Sequence, residues 1–242
     1  MNDYCKLNED FYKLISEYPN ANSLINKLGQ YGELLLFGGA IREYNDNRFK
    51  NIPRDFDIVV NKKDNNVNLD TVLEDFYYKK NRFNGYKLNV SGIEFDIWEL
   101  ENTWAFKENK INCSKNEYKY RLQDTVFLNI DSLVYNLTDE EMFSDKYESA
   151  MNSKEIDVVL EDNPYKELNI VRAIELKNKY NMKFSKKLKN IIKSFIDEND
   201  DCINYCVNKL YEVQYNHYLQ YKVKRRTIEK ELNKIMQEDI LI

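Results

Sequence analysis

Residues 36–59 read LFGGAIREYNDNRFKNIPRDFDIV. The apolar run 34–37 that leads into this stretch predicts a short strand buried on both faces. It stops at Gly38-Gly39. Glycine tolerates positive φ and has no Cβ, so the chain can bend sharply there and bring backbone N–H groups close to an anion. Ala40-Ile41-Arg42-Glu43 predicts a first helical turn. The free N–H groups of a helix start, the positive end of its dipole and the Arg42 guanidinium together favour phosphate oxygens. Taken alone, the glycine pair also fits a plain strand–turn–helix corner.

The second half of the stretch adds the chemistry. Arg54-Asp55-Phe56-Asp57-Ile58 predicts a strand in which Asp55 and Asp57 share one face while Phe56, Ile58 and Val60 face the other. Two carboxylates about 5 Å apart at an effective dielectric near 20 repel by roughly 3 kcal/mol. A purely structural role gives no reason to accept that repulsion. A hard divalent cation turns it into a chelate, because Mg²⁺ takes one or two carboxylates together with substrate phosphates.

Downstream, 85–90 and 93–100 each alternate apolar with polar residues, and Ser91-Gly92 is a two-residue connection suited to a tight hairpin. Ile93, Phe95 and Ile97 share one face, which leaves Glu94, Asp96 and Trp98 on the other. A carboxylate on this neighbouring strand completes an acidic cluster, holding metal and accepting the proton of an attacking hydroxyl. Asp96 is the first choice for that third carboxylate and Glu94 the second.

These residues resemble a known family. Gly38-Gly39-Ala40-Ile41-Arg42-Glu43 followed by Arg54-Asp55-Phe56-Asp57 is similar to the head domain of the poly(A) polymerase and tRNA CCA-adding nucleotidyltransferase family, whose motif is Gly-Gly-x-Val-Arg-Asp, a variable loop, then Lys/Arg-Asp-Phe-Asp. Val126-Phe127-Leu128-Asn129 with 133–135 resembles the family's Arg-Arg-Asp-Phe-Thr-Ile-Asn-Ala-Leu segment, with Arg121 and Asp124 near its Arg and Asp but at different spacing. Asn163-Pro164 and Asn169-Ile170-Val171-Arg172-Ala173 resemble Glu-Asp-Pro-Leu-Arg-Ile-Leu-Arg-Ala. Arg172 matches the final arginine there, and Asn169 stands where the base-reading arginine would be.

The resemblance implies an α+β fold: a nucleotidyltransferase-type mixed β-sheet head with flanking helices, then an all-helical C-terminal region. It implies transfer of a nucleoside monophosphate from a nucleoside triphosphate, ATP first, to a hydroxyl, with an RNA or tRNA 3′ end as acceptor. Asp55, Asp57 and Asp96 would be catalytic and would carry two Mg²⁺ ions, with Mn²⁺ as the substitute. Gly38, Gly39, Arg42, Asn129 and Arg172 would bind the nucleotide. Two other readings stand beside this one: the same chemistry on a small molecule or protein acceptor, and a non-catalytic binding module that kept the fold.

The rest of the 242 residues suits a two-part chain. Leu7, Phe11, Leu14 and Ile15, then Leu24, Ile25 and Leu28, predict two helices within 6–30, interrupted at Pro19-Asn20. Leu69, Val72, Leu73 and Phe76 predict another. The stretch 101–117 shows no period and is expected to be loop. From Tyr118 the periodicity is helical, with Ser185 placed to cap a helix carrying Leu188, Ile191, Ile192 and Phe195. The expected division is therefore a head over 1–117 and a helical neck and tail over 118–242.

Composition excludes several classes. No apolar run reaches the length of a membrane span, and the N-terminal sequence lacks a basic-then-apolar leader pattern, so the expectation is a cytoplasmic protein with no membrane partner. Four cysteines without a dense framework agree with a reducing compartment. Cys202 and Cys206 are expected to pack in a helix core, since with His217 they make a poor zinc set. A single histidine gives no support to triad chemistry. Residues 165–242 hold 16 Lys/Arg against 11 Asp/Glu, a net of +5, which leaves −10 for residues 1–164 within the whole-chain −5. Lys222-Val223-Lys224-Arg225-Arg226 is the densest basic cluster and suits an RNA backbone. The sequence leaves the oligomeric state open.

Overall fold

The computed structural model describes residues 4–64, 66–199 and 202–237. The chain divides into two compact units, Met1–Thr125 with Asp131–Asp145, and Val126–Ile130 with Lys146–Ile242.

In the first unit the two N-terminal helices form as the apolar spacing dictates. Helix α1 (Leu7–Ser16) buries Leu7, Phe11 and Ile15, and α2 (Pro19–Tyr31) buries Leu24, Ile25 and Leu28. Pro19 opens α2 in its first turn, where a missing N–H costs nothing. The elements β1 (Gly32–Phe37), α3 (Gly39–Asn47), β2 (Phe56–Lys62) and the single turn α4 (Leu69–Val72) follow. Then come β3 (Tyr78–Lys80), β4 (Tyr86–Val90), β5 (Ile93–Glu99), the short turns α5 (Trp104–Lys107) and α6 (Tyr118–Arg121), and strands β6 (Val134–Asn136) and β7 (Glu141–Phe143).

The seven strands make one mixed sheet in the order β3-β4-β5-β2-β1-β6-β7. Strands β2 and β5 run parallel, and the other named pairs are antiparallel. Both faces are covered. Leu34, Leu36, Phe56, Ile58, Phe95 and Ile97 are buried on one face, where Phe11 of α1 meets Phe56 edge-on at 5.5 Å. Leu35, Val59 and Val134 are buried on the other, with Leu100, Phe106 and Leu122 packed over them. This second layer explains why the Asp57 side of β2 is not the open polar surface that strand alternation alone suggests.

The second unit is largely helical: α7 (Asp145–Ser153), α8 (Lys166–Tyr180), α9 (Lys186–Asp197), α10 (Ile203–Tyr218) and α11 (Arg225–Gln237). Its core is built from Ile170, Val171, Ile174, Leu188, Ile192, Phe195, Val207, Leu210, Ile228 and Leu232. Ser185 caps α9 as expected, its Oγ accepting the Leu188 N–H at 3.0 Å. Buried Gln214 staples the α10–α11 turn: its Oε1 accepts the Val223 N–H at 2.7 Å and its Nε2 donates to the Val223 carbonyl at 3.2 Å.

Several expectations are corrected. The units part at 125/126, 130/131 and 145/146, where the expected division fell after Glu117. The region 118–242 is not wholly helical: β6 and β7 join the first unit's sheet, and β8 (Glu155–Ile156) pairs in parallel with β9 (Lys183–Phe184) in the second. Strands of two or three residues are too short to show a period of two. The same holds for the expected loop 101–117, which contains α5 and buries Phe106. Helix α4 ends at Val72, short of the expected Phe76. Cys206 is buried as expected, whereas Cys202 is exposed.

Candidate active site

The sheet register aligns the acidic residues. Asp57 of β2 lies directly opposite Asp96 of β5, Lys87 of β4 lies opposite Asp96, and Phe37 of β1 lies opposite Asp57. Directly opposed residues in a sheet share a face. One row therefore reads Phe37, Asp57, Asp96, Lys87 across four adjacent strands. Asp55 sits just before β2 begins. Glu94 is exposed and bonded to Asn89, directly opposite it on β4, so of the two choices for a third carboxylate Asp96 is the one beside Asp57.

Charge couples the group. Lys87 Nζ lies 2.8 Å from Asp96 Oδ2, and Arg54 Nε donates to Asp55 Oδ2 at 3.0 Å. Burial raises the Asp96 carboxyl above the usual carboxylate range, Lys87 opposes that rise, and the negative charge of Asp55 adds to it. Burial works to lower Lys87, yet the hydrogen bond and charge of Asp96, with the charges of Asp55 and Asp57, outweigh it and hold the ammonium above the ordinary lysine value. Asp96 Oδ1 is buried with no hydrogen-bond partner. An orphaned oxygen of this kind is costly in a folded interior.

The three carboxylates do not close into a cage. Among the described residues no group of three or more His, Cys, Asp or Glu side chains is arranged to hold a metal ion. Arg54 and Lys87 instead occupy one oxygen each of Asp55 and Asp96.

Gly38 makes the bend the sequence demands. Its φ of 64° and ψ of −116° lie outside the regions open to residues with a Cβ. Its N–H donates to the Leu133 carbonyl at 2.8 Å, so that group is already used, and Gly39 opens α3. Arg42 departs from expectation. It is 7% exposed and forms a buried ion pair with Asp131, because the face of α3 that packs inward carries Ala40, Ile41, Arg42 and Tyr44. The guanidinium holds α3 to the segment before β6.

Asn129 and Arg172 belong to the second unit. Asn129 is a clamp: its Oδ1 accepts the Asp157 N–H at 3.0 Å, its Nδ2 donates to the Glu155 carbonyl at 3.1 Å, and its own N–H donates to the Asp157 carbonyl at 3.0 Å. Its side chain is spent on holding β8. Arg172 is half-buried on α8. Asn169 donates to Asn163 Oδ1 at 3.1 Å and to the Pro164 carbonyl at 3.2 Å, closing the turn that starts α8.

Two further features belong here. A cleft of about 730 Å³ in the second unit is lined by residues that include Phe127, Glu161, Asp162, Lys166, Lys187 and Asn190; the carboxylates lie in the first unit. Lys222, Lys224, Arg225 and Arg226 are all exposed at the start of α11, where the helix dipole disfavours cations. Their placement is therefore not explained by helix stability.

Lys87 and Asp131 were absent from the sequence reading. Lys87 was within reach of it: a two-residue turn at 91–92 pairs 87 with 96. Asp131 gave no local signal, since it meets a residue 89 positions away.

No family model matches the sequence, and no curated protein matches it. Solved structures do match the fold. A CCA-adding enzyme in an apo form superposes with a TM-score of 0.59 at 16% identity over 92% of this chain and 53% of that one. A CCA-adding enzyme complexed with ATP gives 0.58 at 15%, over 86% and 48%. The Thermotoga maritima CCA-adding enzyme complexed with tRNA gives 0.55 at 13%, over 84% and 46%. The chain thus shares the fold of these solved structures and spans about half their length. No helix among the described residues is long and apolar enough to cross a membrane.

Proposed function

We propose that this chain is a metal-dependent nucleotidyltransferase that moves a nucleoside monophosphate from a nucleoside triphosphate, ATP first, to the 3′ hydroxyl of an RNA. The observation that carries the reading is Asp57 directly opposite Asp96, with a buried Asp96 oxygen left unbonded, one residue across from the Gly38 bend. The solved structures of the same fold include complexes with ATP, CTP and tRNA.

The residues fit Mg²⁺ or Mn²⁺. Mg²⁺ is usually held by one or two carboxylates plus substrate phosphates rather than by a complete protein cage, so Asp57 and Asp96, with Asp55 beside them, are a sufficient donor set. A divalent ion bound there supplies charge neutralisation at the attacking and leaving oxygens of an in-line displacement. The protein's own parts do the rest. The start of α3, from Gly39 onward, offers backbone donors to the triphosphate. Asp96, its pKa raised by burial, is the base beside the nucleophile. Lys87, bonded to Asp96, holds that carboxylate in place. The basic start of α11 supports an anionic polymer as acceptor.

Incubation with α-labelled ATP, Mg²⁺ and total RNA is expected to label RNA, and Asp57→Ala to reduce labelling by about 10²–10³-fold. Label on protein or on a small molecule would move the acceptor away from RNA. Absence of label on any acceptor would overturn the reading.

A further inference from the structure

Beside the carboxylates, on the same side of the sheet, the first unit carries a small aromatic cleft that the reading above does not use. It measures about 190 Å³ and is lined by Phe83, Trp98 and Trp104 together with Asn81, Asn102 and Thr103. We propose that this cleft holds a nucleobase at the 3′ end of the acceptor strand.

The cleft is a constructed feature. Asn81 Oδ1 accepts the N–H groups of Phe83 and Gly85 at 2.8 and 2.9 Å, which fixes the turn before β4 and sets the position of Phe83. A Cβ on Gly85 would fall 2.7 Å from Asn81 Nδ2, so a larger residue there would push the amide aside. Trp98 Nε1 donates to the buried Thr103 hydroxyl at 3.0 Å, and the Trp98 ring meets Phe37 edge-on at 6.0 Å. The indole is thereby locked, with its orientation set before any guest arrives. Asn81 spends its Oδ1 on the turn and Asn102 its Nδ2 on Glu99. One carboxamide donor and one acceptor remain in the lining, the pattern a base edge presents.

The lining contains no charged side chain, so it suits a neutral planar ring rather than a phosphate. Base stacking on aromatic side chains tolerates any sequence, because every base has a π face.

Its position selects acceptor over donor. Trp98 follows Asp96 by two residues on β5, roughly 7 Å along the strand on the same face. The Gly38 bend lies on the other side, at the end of β1, two strands over in the order β5-β2-β1. In-line displacement puts the attacking and leaving oxygens on opposite sides of the transferred phosphorus. With the triphosphate leaving toward Gly38-Gly39, the hydroxyl approaches from the Asp96 side, where the cleft is. This assignment rests on the nucleotidyltransferase reading for its direction.

The chain's two tryptophans are Trp98 and Trp104, so intrinsic fluorescence reports on the cleft. Titration with a short oligoribonucleotide bearing a free 3′ hydroxyl, without metal or triphosphate, is expected to quench emission to saturation, while ribose 5-phosphate leaves it unchanged. Phe83→Ala is expected to weaken the apparent affinity about tenfold, as is Phe83→Leu, which keeps bulk without a ring. In transfer assays the same variants raise KM for RNA and leave KM for ATP as it was. No quench, an equal quench by ribose 5-phosphate, unchanged affinity in both variants, or a rise in KM for ATP instead would overturn the proposal. RNA labelling without the quench would reject the cleft and spare the nucleotidyltransferase reading. A Phe83-dependent quench without labelling of any acceptor would reject the nucleotidyltransferase reading and with it the acceptor role, leaving the cleft as a site for a base alone.

Discussion

Asp96 in the first unit and Asn129 in the second are both half-buried polar side chains that the motif comparison marks as functional, and the fold treats them in opposite ways. Asn129 completes its bonding locally, giving to Glu155 and receiving from Asp157. Asp96 gives one oxygen to Lys87 and leaves the other buried and unbonded beside like charge. A satisfied buried polar group adds modestly to stability, whereas an unsatisfied one carries its full desolvation cost. The contrast separates a residue whose bonding is complete within the fold from one whose bonding is not. Arg42 and Asp131 form another buried polar contact, an ion pair that ties α3 to the segment before β6.

The largest test concerns that pair. Asp131→Ala leaves the Arg42 guanidinium buried without its counter-charge, and is expected to lower stability by about 3–5 kcal/mol in denaturant titration. A loss below about 1 kcal/mol would return Arg42 to the group of side chains offered to phosphate. Next in size, Asn129→Ala is expected to lower the stability of the second unit by about 1–3 kcal/mol while leaving the affinity for ATP where it was. A selective loss of ATP binding, at unchanged stability, would erase the distinction between the two units.

The legible part of the molecule was the part written in local pattern. The Leu34–Phe37 run, the positive-φ bend at Gly38, the alternation through Phe56, Asp57 and Ile58 and the Ser91-Gly92 hairpin all carry their geometry in a few adjacent residues. Asp57 and Asp96 followed from that alternation. The rest depended on distant partners. Whether Arg42 turns outward or inward is decided by Asp131, and whether Asn129 is available is decided by Asp157; neither is visible in the motif itself. Strands β6 to β9 escaped for a related reason, since elements of two or three residues exist only through the strands that accept them. The aromatic cleft needed the fold as well, because Phe83, Trp98 and Trp104 share no period.

The smallest expected effect sharpens the Asp96 half of the comparison through pH. Burial, opposed by Lys87 and reinforced by Asp55, sets the Asp96 carboxyl above its ordinary value. The native state therefore binds this proton more firmly than the unfolded chain does. Between the ordinary carboxylate pKa and the raised one, stability falls as pH rises, and the loss is complete above the raised value. At neutral pH the wild-type protein carries that whole cost and Asp96→Asn carries none. The variant is expected to melt higher at pH 7, with the gap narrowing as pH drops below the ordinary carboxylate range. Added Mg²⁺ should raise the wild-type melting point and leave Asp96→Asn nearly unmoved, since a ligand stabilises only the state that binds it. A variant that melts lower at pH 7 would mean the bond to Lys87 outweighs burial, and Asp96 would then belong with Asn129 among the residues that hold the fold.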